Sequence, residues 1–231
     1  MTDEASAAPT DEPTSDDPYA GLLKQLRGPV SSIQSYVRTL IGRDEGLSTT
    51  ARHTIHQVIL QHSLRLDAFL DDVVLYVRLL SGAVPAKPEP ILVAALAEEV
   101  RHRSGQPERV RIDVPDGVVA HADRNALTEA VRRLVRNGLV YGPRKGDVTI
   151  SAQTAGAWVE ILVSDEGVGI PAEQVDRALQ PFVRAVGDSE RRSDGAGLGL
   201  AVAGELAKLL GGEITLRQGD PGLVAVLRLP S

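Results

Sequence analysis

The sequence predicts an α+β protein in two parts. An N-terminal helical hairpin forms a dimeric four-helix bundle, and an α/β sandwich follows in which helices back a mixed sheet. Three observations carry this reading. Apolar residues recur at heptad spacing in two segments before residue 81, a Pro-rich stretch follows over 81–90, and beyond it helical periodicity alternates with short runs of strand character. The expected boundaries are an acidic tail over 1–18, the hairpin over 19–83 and the sandwich over 84–231.

The 231 residues are 42% hydrophobic, enough for one or two cores, and include no cysteine, which excludes disulfide scaffolds, zinc ribbons and thiol chemistry. The longest uninterrupted apolar run, Ile91 to Ala97, falls far short of the ~20 residues a membrane helix needs. The N-terminus does not follow the basic-then-apolar order of a secretory signal, so no membrane partner and a cytoplasmic location are expected.

The net charge of −6 resides in the tail, where Asp3, Glu4, Asp11, Glu12, Asp16 and Asp17 meet no Lys or Arg. Three prolines and a scarcity of apolar side chains predict disorder there. The remainder is balanced at 25 charges of each sign, and aromatic residues make up only 3%, so no nucleic-acid partner is expected. Met1 ahead of such a tail reads as a natural start, with no sensor segment before the hairpin.

In the first helix Leu23, Leu26, Val30, Ile33, Val37 and Leu40 alternate steps of 3 and 4, one seam along a helix face. Gly42 and the polar Arg43-Asp44-Glu45-Gly46 end it, and Ser48 is placed to cap a second helix. There Ile55, Ile59, His62, Leu66, Phe69, Val73, Val77 and Leu80 repeat the pattern up to Ser81-Gly82. Two such narrow stripes cannot enclose a core alone. A second hairpin completes a bundle, which predicts a homodimer. Gly28-Pro29 falls inside the first helix, where proline removes a backbone donor. His53 and His56 have no carboxylate at helical spacing to complete a metal site, and His62 lies on the seam, so core or interface histidines are the better reading.

Beyond the linker, Val93, Leu96 and Val100 mark a helix, and Val110–Val114 a strand. Asp123 caps a long helix through Leu139, and strands follow near 147–153 and 157–164. A glycine-bearing turn, a short helix from Pro171, a helix from Leu200 to Leu210 and a terminal hairpin over 213–218 and 223–229 complete the order.

Four segments carry the chemistry. Asp165-Glu166-Gly167-Val168-Gly169 closes a strand with a carboxylate that can accept from a purine amino group, beside glycines that let backbone approach a flat ring. Asp194-Gly195-Ala196-Gly197-Leu198-Gly199-Leu200 opens a helix, offering amides and a positive dipole end to anions. Between them Arg184, Arg191 and Arg192 sit in a loop able to close over phosphates. Asn137, on the long helix, offers a side-chain oxygen to a hard cation such as Mg²⁺ together with phosphate oxygens. Each is weak alone. Their order along the chain is specific.

On these motifs the chain resembles the transmitter module of a two-component sensor histidine kinase, with a dimerisation and phosphotransfer hairpin followed by a GHKL-type ATP-binding domain. The resemblance implies ATP and Mg²⁺ as cofactors, Asn137 as the magnesium-binding asparagine and Tyr141 as an aromatic partner near the nucleotide. It implies that Asp165, with Gly167 and Gly169, reads adenine. Pro181-Phe182-Val183-Arg184 resembles the phenylalanine box, and Gly195, Gly197 and Gly199 with Leu198 resemble the second glycine box. The fold implied is a five-stranded mixed sheet backed by three helices, and the partners implied are a response regulator or another histidine kinase.

The departures matter more. The family's acceptor segment His-Glu-Leu-Arg-Thr-Pro-Leu is replaced by Lys24-Gln25-Leu26-Arg27-Gly28-Pro29-Val30. A protonated lysine has no lone pair to attack phosphorus, and Gln25 stands where the family has an acid that assists the attack. Arg133, four residues before Asn137, occupies a position where related proteins carry an asparagine or a water-activating glutamate, and Val140 replaces a phosphate-contacting lysine. The reading is a signalling pseudokinase that binds ATP without phosphorylating its own hairpin. Its alternatives are a working kinase acting on a partner, and a nucleotide-free scaffold similar to degenerate histidine phosphotransferases of phosphorelays.

Overall fold

The computed structural model describes residues 18–42, 46–183 and 197–231, so the acidic tail up to residue 17 lies outside the described residues, and Pro18 opens the first helix. The chain divides into two compact units, Met1–Leu64 and Arg65–Ser231. In the first, α1 (Pro18–Gly42) continues unbroken through Gly28-Pro29. It is followed by α2 (Thr49–Leu80), whose second half belongs to the other unit. Ser48 caps α2 as its position predicts: its Oγ accepts from the Ala51 N–H at 3.2 Å and its carbonyl from the Arg52 N–H at 3.0 Å. At the other end Gly82 takes φ +66° and the Ala83 N–H reaches back to the Arg78 carbonyl at 3.0 Å, closing the helix in a Schellman arrangement.

The second unit is built on a five-stranded sheet. Its strands are β2 (Val110–Asp113), β4 (Val148–Ala155), β5 (Trp158–Asp165), β6 (Glu213–Gln218) and β7 (Leu223–Pro230), arranged in the order β2-β4-β5-β7-β6. β2 runs parallel to β4 and every other pairing is antiparallel, so the sheet is mixed. Alternation turns Val148 and Ile150, Val159 and Ile161, Ile214 and Leu216, and Leu227 and Leu229 to one buried face. Against that face pack α3 (Val93–Arg103), α4 (Arg124–Tyr141) and α6 (Gly199–Leu209), contributing Leu96, Leu127, Val131, Val202 and Leu206 to the core.

One pairing is not visible in the sequence pattern. β1 (Glu89–Leu92) pairs antiparallel with β3 (Val119–Ala122), burying Ile91 and Ala120 completely. β1 emerges from the end of the Pro-rich segment; with only one partner strand it tolerates Pro90, which a central strand would not. Asp123 follows β3 directly. Its Oδ1 accepts from the Ala126 N–H at 3.0 Å, capping α4, while its Oδ2 accepts from the Lys87 N–H at 2.9 Å and ties the linker to the same point. A short helix α5 (Val175–Ala178) precedes the second glycine-rich segment. Among the described residues no helix is long and apolar enough to cross a membrane.

Candidate functional site

The last residue of β5, Asp165, is only 9% exposed. Its Oδ1 accepts from the Gly167 N–H at 2.7 Å and from the Leu223 N–H at 3.4 Å, the latter across from β7. Burial pushes its carboxyl above the ordinary carboxylate value, and the two N–H groups act against that rise. Glycines make the close packing possible. A Cβ on Gly138 of α4 would stand 2.9 Å from Val148 Cγ2 and 3.2 Å from Asp165 Cβ, and one on Gly167 would stand 2.8 Å from Asp165 Oδ1. Gly169 adopts φ +72° with the Gln218 amide lying across it.

Asn137 and Tyr141 sit one helical turn apart near the end of α4, half-buried on one face. The Tyr141 carbonyl lies 3.2 Å from where a Gly167 Cβ would be, so the end of α4 and the Asp165–Gly169 turn meet. The structure thus brings Asn137, Tyr141, Asp165, Gly167 and Gly169 into one neighbourhood. At a second place Phe182, with φ 63°, donates its N–H to the Gly197 carbonyl at 3.0 Å. A Cβ on Gly197 would crowd the Val183 carbonyl at 2.8 Å, so a glycine is required where residues 182–183 and 197 touch. Leu198 is fully buried and anchors the start of α6, whose first turn has no side-chain cap and no acidic residue. Space is open where a Gly199 Cβ would project. Arg184 and Gly195, with Arg191, Arg192 and Asp194, lie outside the described residues.

Arg133, at the position where related proteins carry an asparagine or a water-activating glutamate, is engaged by two carboxylates. Its side chain is 6% exposed, its Nη2 donates to Asp72 Oδ1 on α2 at 2.7 Å, and its Nε lies 2.8 Å from Glu129 Oε1 in an ion pair too poorly aligned for a hydrogen bond. Glu129 also takes two bonds from Arg132, each 2.7 Å. Burial alone would raise the Glu129 carboxyl, but Arg132 and Arg133 outweigh it and hold the group below its ordinary value. Asp72 carried no sequence signal, since its partner is 61 positions away. Gly138, Gly222 and Gln218 were likewise missed, although a glycine next to Asn137 in an otherwise regular helix is a legible hint of close packing. Lys24 and Gln25 fall near the start of α1, ahead of Pro29.

Comparison with known proteins agrees with this architecture. The histidine kinase-, DNA gyrase B-, and HSP90-like ATPase family matches residues 122–231. The sensor-like histidine kinase R01002 of Rhizobium meliloti (strain 1021) is 29% identical over 220 residues, covering 92% of this chain; the chain spans 42% of that relative's length. The histidine kinase AdeS of Acinetobacter baumannii shares the fold with a TM-score of 0.71 at 19% identity, over 89% of this chain and 96% of that one. The histidine kinase ThkA, solved in complex with the response regulator protein TrrA, shares it with a TM-score of 0.71 at 17% identity, over 92% of this chain and 60% of that one. Residues 122–231 therefore match the histidine kinase-, DNA gyrase B-, and HSP90-like ATPase family, and the chain as a whole is similar to sensor histidine kinases.

Proposed function

We propose that this chain serves two-component signalling as an ATP-binding pseudokinase, a homodimer that docks a response regulator or another histidine kinase and does not phosphorylate its own hairpin. The observation that carries nucleotide binding is Asp165: a buried carboxylate whose Oδ1 is held by two backbone N–H groups, with Gly138, Gly167 and Gly222 packed closely around it. In this reading its other oxygen accepts from the adenine amino group, Gly167 and Gly169 let the ring approach, and Tyr141 flanks it. The uncapped first turn of α6, from Gly199, and the stem at Phe182, Gly197 and Leu198 serve the phosphate side, with Arg184 and Gly195 beyond.

The residues present fit a magnesium ion that arrives with the nucleotide. Among the described residues no group of three His, Cys, Asp or Glu could hold a metal unaided, and the Asn137 side-chain oxygen on α4 would supply one hard ligand beside the phosphate oxygens of the nucleotide. Mg²⁺ there would neutralise phosphate charge. Asn137 would orient it.

The engagement of Arg133 by Asp72 and Glu129 supports the absence of a general base at that position. Lys24 at the acceptor position supports silence of the hairpin. Exposed Leu60, Leu64, Val74 and Val77 on α2 support pairing with a second copy, and the ThkA–TrrA complex supports a response-regulator partner. The test is calorimetric titration with ATP and a non-hydrolysable analogue, each with and without Mg²⁺, with Asp165→Asn as control. Binding that disappears in the variant is expected; no binding at millimolar nucleotide would leave the scaffold reading.

A further inference from the structure

We infer that the outer edge of β6 is a self-association surface, on which a second copy of this chain lays its own β6 antiparallel and continues the sheet across a two-fold axis at Thr215. β6 ends the five-stranded sheet: it pairs with β7 alone, and no other strand flanks it among the described residues. Its pairing with β7 runs through all six residues without a bulge, so the outward row of N–H and C=O groups is uninterrupted. Edge strands are commonly guarded by proline, lysine, a bulge or shortness, and Glu213–Gln218 has none of these. The opposite edge, β2, spans only four residues and meets Pro115 two positions on.

The side chains select the occupant. Antiparallel pairing centred on Thr215 sets Glu213 opposite the second copy's Arg217, and the symmetry repeats that ion pair beyond the axis. The same register sets Ile214 opposite Leu216 on the core face, where each keeps a residual exposure of 8% and 7%. Slipping by one residue would oppose Glu213 to Leu216, and slipping by two would oppose it to Thr215 or Gly219. Within one chain Arg217 lies across from Val224 and meets no carboxylate among the described residues, while Glu213 has Arg228 at 3.8 Å. Gly212, opposite the second copy's Gln218 in this register, has no side chain to obstruct the approach.

Main-chain hydrogen bonds between the two edges supply the attraction. Exposed ion pairs add little affinity, and the two Glu213–Arg217 pairs mainly fix the register and exclude other strands. One strand from each copy makes a small contact, so the association is weak and is populated at high protein concentration. It is separate from the hairpin seam, and it does not rest on nucleotide binding.

Because the chain has no cysteine, single cysteines report on the contact without background. Glu213, Thr215 and Arg217 are all exposed, so a cysteine at any of them leaves the core untouched, which circular dichroism melting verifies. Thr215→Cys places two thiols directly opposite each other, within disulfide reach, whereas Glu213→Cys or Arg217→Cys alone sets its two thiols about 13 Å apart along the strand. On mild oxidation of the concentrated full chain, read by non-reducing electrophoresis, Thr215→Cys is expected to form covalent dimer at least tenfold faster than either. Adding Arg217→Glu to Thr215→Cys opposes two pairs of carboxylates and is expected to slow the reaction at least threefold. Adding Glu213→Arg as well restores opposite charges and is expected to recover the rate. Equal rates at the three cysteine positions would mean random collision and would overturn the inference. So would the absence of dimer with Thr215→Cys, or a rate there that ignores the charge reversals.

Discussion

Gly222 stands so close beneath Asp165 that a Cβ on it would overlap the Asp165 carbonyl oxygen and press on the Gly167 nitrogen. Its φ of +86° is also one that L side chains avoid. Leu223, the next residue, donates to Asp165 Oδ1, so the β6–β7 turn acts as a buttress that aims the carboxylate. Gly222→Ala is expected to cost about 1–3 kcal/mol in denaturant unfolding and to weaken ATP binding, because the turn must retreat and take the Leu223 N–H with it.

Asp165→Asn should separate binding from stability. The asparagine oxygen can still accept from Gly167 and Leu223, while the buried charge is removed. Burial raises the folded-state pKa of Asp165 above its unfolded value, so ionisation costs stability once pH exceeds the folded pKa. That cost shrinks as pH falls through the folded pKa and vanishes below the unfolded one, roughly pH 4. The variant is expected to melt no lower than wild type at pH 7, to lose this advantage in acid, and to bind no ATP at any pH. A lower melting temperature at pH 7 would contradict the account.

Asp123 behaves in the opposite sense. Its carboxylate is held below the ordinary value by the N–H groups of Ala126 and then Lys87, so its contribution is present above the unfolded pKa and is lost as pH falls through the folded one. Asp123→Ala removes both the cap of α4 and the tie to the linker, and is expected to cost about 1–2 kcal/mol at pH 7. The difference from wild type in urea midpoints should narrow steadily below about pH 4.

What the sequence disclosed and what it concealed follow from range. Helices α1 and α2 announce themselves through heptad steps, Ser48 and Asp123 through capping chemistry, and β4 to β7 through short runs of strand character between turns. All of these are local. The β1–β3 pair escaped because Pro88 and Pro90 read as linker, although Ile91 is completely buried once Ala120 lies opposite it. In the site, Asn137, Asp165 and the glycines were legible because their spacing carries the chemistry. The partners that hold them, Asp72 for Arg133 and Leu223 for Asp165, lie 61 and 58 positions away and become visible only in the folded chain.

Lys24→His combined with Gln25→Glu would rebuild an acceptor and its assisting acid on α1. The phosphate side would still have Val140 in place of a cation and Arg133 committed to two carboxylates. The double variant is expected to bind ATP like the parent and to take up no acid-labile phosphate from labelled ATP. Efficient labelling would instead show that the defect lay in the acceptor segment alone.

The exposed apolar row on α2 is the most direct handle on assembly. Leu60 and Leu64, one turn apart, are 59% and 61% exposed, and the seam residues Ile55, Ile59 and Leu66 beside them are already partly covered. Burying a leucine is worth about 1.5–3 kcal/mol, so two per chain, doubled by symmetry, form a substantial part of what holds a modest dimer together. Leu60→Glu with Leu64→Glu places four carboxylates in one contact and is expected to give monomers in sedimentation at micromolar concentration. Because the sandwich core of Leu127, Ile161 and Leu227 is separate from this row, its thermal unfolding should be unchanged. Dimers that persist would move the interface off this face of α2, and a parallel loss of sandwich stability would mean that the two leucines pack within the chain.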